Sequence, residues 1–225
     1  MRAFARAVAA LVVSIPAIAA AAEEPGNLFN GKDLSGWDGD PAVWSVQDGV
    51  ITGQTSAGKP IKHNTFLIWK GGTVGDFELR LMFKMESGNS GIQYRSKDKG
   101  DWVVNGYQGD MDSANTYTGM LYEEGGRGIV ATPGLKVRIE PNGKITKLGT
   151  VTDPKEIKAS IKKGDWNEYV IIAKGNHLVH MINGKVTCDI TDEQESKRAM
   201  EGILALQVHA GPPMKVQFKE ITLKK

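Results

Sequence analysis

Two carboxylates spaced two residues apart are the most chemically suggestive pattern in the chain. Asp110 and Asp112 follow Gln108 in the segment GYQGDMD. Alternate side chains of an extended strand point to the same face, so these three side chains would share one face. Such carboxylates could perform general acid–base chemistry, or they could hold a cation together with a histidine. His209 is the candidate histidine for either role.

Two further extended segments carry side chains that make directional hydrogen bonds. Gln93 and Arg95 share one face of the first segment, and Gln207 and His209 share one face of the second. In any single strand, a polar face is as consistent with the solvent-exposed side of a sheet as with a binding or catalytic site. A solvated face usually carries Lys, Glu, Thr and Ser, so the joint selection of Gln, Arg, Asp and His indicates a binding surface.

A glycine-rich segment and two aromatic residues supply the remaining candidates. Tyr122, Glu123 and Arg127 lie in the segment LYEEGGRG, where they would form either a loop ion pair or part of a binding site. Trp102 or Tyr107 could stack against a ring-shaped ligand. For Tyr107, a place in the core is the more favoured interpretation, because it alternates with Gln108 along the strand.

The charge distribution argues against two classes of partner. Lys and Arg total 28 and Asp and Glu total 26, which gives a net charge of +2. Arg2 and Arg6 account for the whole excess, since residues 1–22 contain no acid and the rest of the chain has 26 of each sign. Binding to nucleic acid or to an anionic membrane surface normally needs a net basic face. We therefore expect no nucleic-acid partner and no polybasic membrane docking.

Common cofactor and nucleophile motifs are missing from the sequence. It has no G-x-G-x-x-G after a strand, no P-loop, no H-E-x-x-H and no G-x-S-x-G, and its four histidines match no common zinc spacing. The single cysteine, Cys188, is expected to be a buried strand residue. No cofactor is expected, although a divalent cation held by Asp110, Asp112 and His209 stays open.

Residues 1–22 have the three-part pattern of a secretory signal peptide. A basic start is followed by an apolar run, Ala7 to Ala19, and by small residues suited to cleavage before Glu23. A membrane anchor is the alternative, but the run is shorter than the ~20 residues that a spanning helix needs. We expect a periplasmic or secreted protein, free of the membrane after cleavage, with one domain over residues 23–225.

The elements that must position these residues are strands. Phe77, Leu79, Leu81, Phe83 and Met85 alternate with polar residues, which is typical of a half-buried strand. Turn dipeptides follow such runs at 48–49, 142–143, 175–176 and 183–184, and they predict three hairpin-linked strands over 169–190. Two short helices are predicted, one after Asp153 and one over 192–200. The pattern predicts an all-β antiparallel sandwich.

Several ordered motifs resemble one family. The opening segment NLFNGKDLSGW, the central NSGIQYR, the strand GYQGD, the later WNEY and NG, and the closing QVH are similar to motifs of the 3-keto-disaccharide hydrolase family. The similarity runs from about Asn27 to Leu223. One departure concerns the acid–base group, because many members carry Glu where this chain has Gln108 and Gln where it has Asp110.

The resemblance implies a concanavalin A-like β-sandwich, or jelly roll, whose sheet face binds sugar. It also implies secreted or periplasmic proteins that act on glycosides already oxidised at C3. A ketone at C3 acidifies the C2 proton, so a base can remove it and the C1 oxygen can leave by elimination, with or without later addition of water. A separate sugar dehydrogenase would then supply the substrate.

A mechanistic hypothesis combines the resemblance with the shared strand faces. Either Asp110 or His209 is the base, and Arg95 stabilises the enolate. The hydroxyl-binding and substrate-binding candidates are Gln93, Gln108, Asp112, Gln207, Tyr122, Glu123 and Arg127. The alternatives are a carbohydrate-binding module without catalysis and a structural or adhesion domain, since a fold does not fix a function.

Overall fold

Two β-sheets and one short helix make up residues 26–225, the part of the chain that the computed structural model describes. The predicted signal peptide, residues 1–22, lies outside the described residues. The strands are β1 Gly26–Asn27, β2 Trp37–Asp38, β3 Trp44–Gln47, β4 Val50–Gln54, β5 Thr65–Trp69, β6 Phe77–Ser87, β7 Asn89–Asp98, β8 Val104–Asp112, β9 Leu121–Glu124, β10 Gly128–Ala131, β11 Leu135–Ile139, β12 Ile145–Thr150, β13 Asn167–Lys174, β14 His177–Ile182, β15 Lys185–Asp192, β16 Ile203–Val208 and β17 Lys215–Lys224, and the helix α1 is Pro154–Ser160.

The sheets pack face to face as a β-sandwich, which confirms the predicted fold class. The ten-stranded sheet has the order β12-β11-β15-β14-β13-β6-β17-β4-β3, with β1 also paired to β17. The seven-stranded sheet has the order β10-β9-β8-β7-β16-β5-β2. The two strands at the centre of the second sheet, β7 and β8, pair antiparallel and carry half of the candidate residues.

Short turns with left-handed backbone connect the hairpins. Asp48 and Gly49 both have positive φ between β3 and β4, and Asn183 and Gly184 do so between β14 and β15. Two central residues with positive φ match the right-handed twist of paired strands, and Asn or Asp followed by Gly adopts them readily. The three hairpin-linked strands predicted over 169–190 are confirmed as β13, β14 and β15.

Period-two alternation decides which side chains enter the core. The apolar phase of β6, from Phe77 to Met85, is buried as predicted. On β8 the same alternation buries Tyr107 and Met111 among the apolar residues between the sheets. Gln108 and Asp110 therefore point to the outer face of the seven-stranded sheet, away from the second sheet. The prediction that Tyr107 is a core aromatic is confirmed, and Cys188 is buried as well.

One of the two predicted helices is present. Asp153 caps α1 by accepting a hydrogen bond from the Lys155 N–H at 2.7 Å, and Pro154 opens the helix. The second helix, predicted over 192–200, is wrong. Asp192 ends β15, and its carboxylate binds Tyr107 and Arg127, so the chain continues in turns. Within residues 26–225, no helix is long and apolar enough to span a membrane.

A histidine lies in the interior between the sheets. The His180 ring contacts the Tyr94 hydroxyl through Nε2 at 2.9 Å and the Tyr169 hydroxyl through Nδ1 at 3.2 Å. Burial removes the charged ring from water, which lowers the pKa of His180 from 6.5 to about 4. The folded protein therefore holds this ring neutral at pH values where the unfolded chain would protonate it.

Acid should weaken the fold through His180. Because the unfolded chain binds the proton more tightly, the free energy of unfolding should fall between pH 6.5 and about 4, by about 2–3 kcal/mol from this group. His180→Gln, which keeps hydrogen-bonding groups but cannot titrate, should reduce that fall. Urea unfolding of both proteins across this pH range measures it. His177→Gln, at an exposed histidine, is the control, and parallel pH profiles for wild type and His180→Gln would contradict the assignment.

Candidate functional site

A polar hollow of about 240 Å³ lies on the outer face of the seven-stranded sheet. Its polar lining comes from β7, β8, β9 and the chain segments next to β5 and β16, and consists of Asn64, Asn89, Gln108, Asp110, Glu124 and His209. The volume is just below the usual range for ligand pockets, about 300–1,000 Å³. The hollow therefore suits one small polar ring rather than a long chain.

Asp110 lies at the base of this hollow and is the most perturbed carboxyl group in it. Its side chain is only 3 % exposed. Oδ1 accepts a hydrogen bond from Asn89 Nδ2 at 2.7 Å, and Oδ2 accepts one from Gln108 Nε2 at 3.1 Å. Burial is the main cause that raises the pKa of Asp110, and the negative charges of Asp112 and Glu124 also raise it. The two hydrogen bonds oppose the rise, and the resulting pKa is about 7.

Buried amides connect Asp110 to a second carboxylate. Gln108 Nε2 also donates to Gln207 Oε1 at 3.4 Å, and Gln207 Nε2 donates to Glu124 Oε2 at 3.3 Å. Beneath them, Gln93 Nε2 donates to Gln108 Oε1 at 2.9 Å. We call these three glutamines the amide chain. Their buried polar atoms are paired with one another, so the chain fixes both carboxylates relative to the sheet.

Glu124 is a site residue that the sequence-based reasoning missed. Asn64 Nδ2 contacts both of its carboxylate oxygens at 3.4 and 3.5 Å. Burial raises its pKa, while Asn64, Gln207 and the nearby His209 oppose that rise. Its signal was present in the sequence, because Tyr122 and Glu124 share a strand phase. Tyr122 lies opposite Gln108 in the β8–β9 register, which puts Glu124 on the outer face too.

His209 and two asparagines complete the polar lining. His209 is exposed at the hollow, and its Nδ1 contacts the Ala210 carbonyl at 2.6 Å. Asn64 Oδ1 accepts a hydrogen bond from the Ala210 N–H at 3.0 Å, which ties the segment after β16 to the segment before β5. Nothing in the sequence singled out Asn64, because it precedes a strand and belongs to no alternating pattern. Asn89 begins the motif NSGIQYR, but it was not predicted to be a site residue.

A glycine makes room for the site. Gly91 lies opposite Asp110 in the β7–β8 pair. A methyl group at Gly91 would come within 2.4 Å of Gln108 Cδ and Cγ. Any side chain here would therefore push Gln108 away from Asp110. This explains why the motif NSGIQYR has glycine at this position.

Apolar side chains form the rim of the hollow. Tyr117 is 43 % exposed and Ile129 is 49 % exposed, and both line the opening together with Tyr122 and Met120. Apolar surface at the rim with carboxylates and amides below is an arrangement that suits a small ligand with both apolar and polar faces. Tyr122, predicted to bind substrate, is brought to the hollow.

Arg95 does not reach the hollow, contrary to prediction. A β-bulge between Tyr94 and Lys97 shifts the strand register, and Arg95 itself has a φ of 46°. Its guanidinium donates to the carbonyls of Gly75, Gly175 and Ala199 and to the Asp76 carboxylate. The predicted contact with the enolate is therefore wrong in geometry, because the bulge breaks the alternation that would have put Arg95 beside Gln93.

Asp112 is committed to its own loop. Its carboxylate accepts hydrogen bonds from the N–H groups of Thr116, Tyr117 and Thr118 at 2.8–3.0 Å. It does not line the hollow, so the structure does not place it as a substrate ligand. Instead it shapes the loop that brings Tyr117 to the rim. Within residues 26–225, no three side chains of metal-ligand type come together, so the set of Asp110, Asp112 and His209 is not assembled.

Glu123 and Arg127 form a buried ion pair away from the hollow. Glu123 has the strand phase opposite to Glu124, so it points inward. Arg127 contacts Glu123 and donates to Asp192 Oδ2 at 2.7 Å, beside the Tyr107 hydroxyl. Their predicted role in substrate binding is therefore not supported by their position.

The predicted residues thus divide into three groups. Asp110, Gln108, His209 and Tyr122 line the hollow. Gln93 and Gln207 lie just beneath it and support it through hydrogen bonds. Arg95, Asp112, Glu123 and Arg127 serve the fold elsewhere.

Solved structures of sugar-active proteins share this architecture. A candidate glycosyl hydrolase from Parabacteroides distasonis ATCC 8503 superposes with a TM-score of 0.61 at 22% identity, covering 89% of this chain and 98% of that one. The carbohydrate-binding module CBM66 from Bacillus subtilis gives 0.56 at 14% identity, covering 84% and 96%. A β-glucanase from Bacillus licheniformis gives 0.50 at 12%, covering 88% and 96%. No curated protein sequence matches the chain.

The sandwich has a concanavalin A-like jelly-roll fold, which it shares with these structures. The sequence profile described as the 3-keto-alpha-glucoside-1,2-lyase-like domain matches residues 24–224. The chain belongs to that family.

The pKa of Asp110 can be measured directly. Side-chain carbonyl NMR should show Asp110 titrating near pH 7 rather than near 4, because its carboxylate is desolvated. Glu124→Gln removes a neighbouring negative charge and should lower the pKa of Asp110. Glu86→Gln, on the ten-stranded sheet, should leave it unchanged. A midpoint near 4 in the wild-type protein would contradict this description of the site.

Arg95 should matter for stability rather than for chemistry. Arg95→Met removes the donor to three part-buried carbonyl oxygens and to the Asp76 carboxylate, which keeps only the Gly175 N–H, and should lower the free energy of unfolding by about 3 kcal/mol. Arg80→Met, which removes an exposed ion-paired arginine, should cost about 1 kcal/mol or less. Urea denaturation measures both. Unchanged stability of Arg95→Met would show that its contacts do not hold the fold.

Proposed function

We propose that the protein cleaves 3-keto-glycosides by removing the C2 proton and eliminating the C1 substituent. The observation that carries this proposal is the buried Asp110 carboxyl group with its pKa raised to about 7. A base with a pKa near the working pH is both sufficiently ionised and sufficiently basic to abstract a carbon-bound proton. Family membership supplies the substrate class, since the family description names a 3-keto-α-glucoside 1,2-lyase.

The reaction needs a base, a hydrogen-bond donor for the enolate oxygen and a source of a proton for the leaving oxygen. Asp110 takes the C2 proton, and the electron pair forms an enolate with its charge on the C3 oxygen. The Asn89 amide, which also donates to Asp110, offers a donor at the hollow for that oxygen. The enolate then collapses, a C1–C2 double bond forms, the bond from C1 to the leaving oxygen breaks, and that oxygen takes up a proton.

Glu124 is proposed to accept a hydrogen bond from a substrate hydroxyl group, and the leaving oxygen takes its proton from solvent. Burial raises the pKa of Glu124, but Asn64 and Gln207 donate hydrogen bonds to its carboxylate and favour the ionised form. The amide chain holds it on the same face as Asp110. Both carboxylates start ionised, Asp110 gains the C2 proton, and release of that proton to solvent completes the turnover. Addition of water to the unsaturated product would convert the elimination into net hydrolysis.

A carbohydrate-binding module without catalysis is the second candidate. The similarity to CBM66 favours it, because that module has the same fold. Binding alone would not need a carboxyl group with a raised pKa, so the state of Asp110 favours an enzyme. A periplasmic or secreted location, suggested by residues 1–22, would fit either role. A sugar dehydrogenase that oxidises C3 would supply the substrate of the enzyme.

Turnover of a chromogenic 3-keto-glucoside tests the proposal. Asp110→Asn should lower kcat/KM by about 10²-fold or more, because the base is lost. For the wild-type protein, kcat/KM should rise as the pH increases through about 7, since Asp110 must be ionised. Asp48→Asn is the matched control, because it makes the same change in an exposed hairpin turn that accepts Asn.

The mass of the product distinguishes elimination from net hydrolysis. A parallel assay with a chelator shows whether turnover depends on a divalent cation. Incubation in D₂O provides a further readout, because reversible removal of the C2 proton exchanges it for deuterium. The proposal fails when wild type binds the 3-keto-glucoside without turnover and without exchange. In that case the binding module is the better description.

A further inference from the structure

A second cleft, of about 450 Å³, lies next to the hollow. Its lining includes Asp40, Lys62, His63, Thr65, Asp101 and Trp102. The two cavities share a short segment of chain, because His63 and Thr65 line the cleft while Asn64 between them lines the hollow. Asn64 and its two neighbours are thus a wall that the two cavities share.

Trp102 is held in a backbone conformation that tryptophan rarely adopts. Asp101 and Trp102 have φ values of 51° and 54°, and the Val103 N–H donates to the Gly100 carbonyl at 2.9 Å. These features define a turn of type I′, in which the second central position is usually glycine. A large side chain in the left-handed region costs conformational free energy. The turn would be less strained with glycine at position 102.

The strain is not offset by core packing. Among residues 26–225, neither of the two apolar clusters includes the Trp102 side chain. Two hydrogen bonds hold the residue in place: the indole Nε1 donates to Asp38 Oδ1 at 3.0 Å, and the Trp102 carbonyl accepts from the Phe66 N–H at 2.9 Å. The indole is thus fixed at the wall of the cleft. Strained residues held in this way commonly serve binding or catalysis.

The chemistry of the cleft fits a neutral polyol. An indole offers a flat apolar face to the C–H side of a sugar ring, and Asp40, Asp101 and Thr65 offer acceptors or donors to its hydroxyl groups. Lys62 offsets one of the two acids, so the lining keeps a single negative formal charge with His63 neutral, which disfavours an anionic ligand. We propose that this cleft is a second sugar subsite, in which Trp102 stacks on the leaving-group sugar of a 3-keto-disaccharide. This inference rests on the proposed function.

Substrates of one and two rings test the subsite. Trp102→Gly should lower kcat/KM for a 3-keto-disaccharide by about three- to tenfold, as expected for the loss of one stacking contact. It should leave kcat/KM for methyl 3-keto-glucoside, which has no second ring, within about twofold. Its melting temperature should equal or exceed that of wild type, because glycine relieves the strained turn.

Two further variants control the experiment. Trp102→Phe keeps an aromatic face and should retain more activity on the disaccharide than Trp102→Gly. Trp166→Ala removes a tryptophan that lies beside Lys84 and Lys219, and should affect neither substrate. Equal losses on both substrates, or no loss on the disaccharide, would overturn the subsite.

Failure of the subsite can be distinguished from failure of the proposed function. When neither substrate is turned over by wild type, the function has failed and the cleft is tested by binding alone. Calorimetry with unoxidised maltose and with methyl glucoside then compares wild type with Trp102→Gly. Weaker binding of maltose alone supports the subsite, and identical binding of maltose by both proteins overturns it.

Discussion

The need to satisfy buried amides is the constraint on which the site depends. Gln93, Gln108 and Gln207 are almost fully buried, and a buried amide without partners costs free energy. The Ser96 hydroxyl donates to Gln93, and Gln93 donates to Gln108. Gln108 donates to Asp110 and to Gln207, and Gln207 donates to Glu124. The direction of this chain leaves only acceptors at its end. It therefore holds the carboxylates in the hollow and links their protonation to the hydrogen bonds of the sheet face.

Features that depend on local pattern could be predicted from the sequence. Alternation on β8 separates Tyr107 from Gln108 and Asp110, and turn dipeptides such as Asn183-Gly184 mark hairpins, so the sandwich follows from short-range rules. The same alternation brings Gln207 to the face that carries Gln108. The grouping of Asp110 with His209 in one hollow was predicted as well, although their roles stay proposals.

Features that depend on a change of strand phase or on loop geometry could not be predicted. One bulge residue turns Arg95 away from the face that Gln93 occupies, and no sequence signal marks it. The Asp112 carboxylate binds loop N–H groups that become neighbours only after folding. The sequence analysis selected Glu123, but Glu124 is the residue at the hollow. Neighbouring residues of a strand point to opposite faces, so an error of one position exchanges the core face for the outer face.

The contact between Gln108 and Asp110 has a consequence for relatives that carry Glu at the first position and Gln at the second. One carboxylate–amide hydrogen bond would survive that exchange with donor and acceptor reversed. Gln207 would then lose its donor and would have to rotate its amide, presenting oxygen rather than nitrogen to Glu124. An oxygen facing that carboxyl group favours its protonated form. The hydrogen bonds along these residues would thus run in opposite directions in the two arrangements. Their direction would determine which acid in the hollow is protonated in the resting protein.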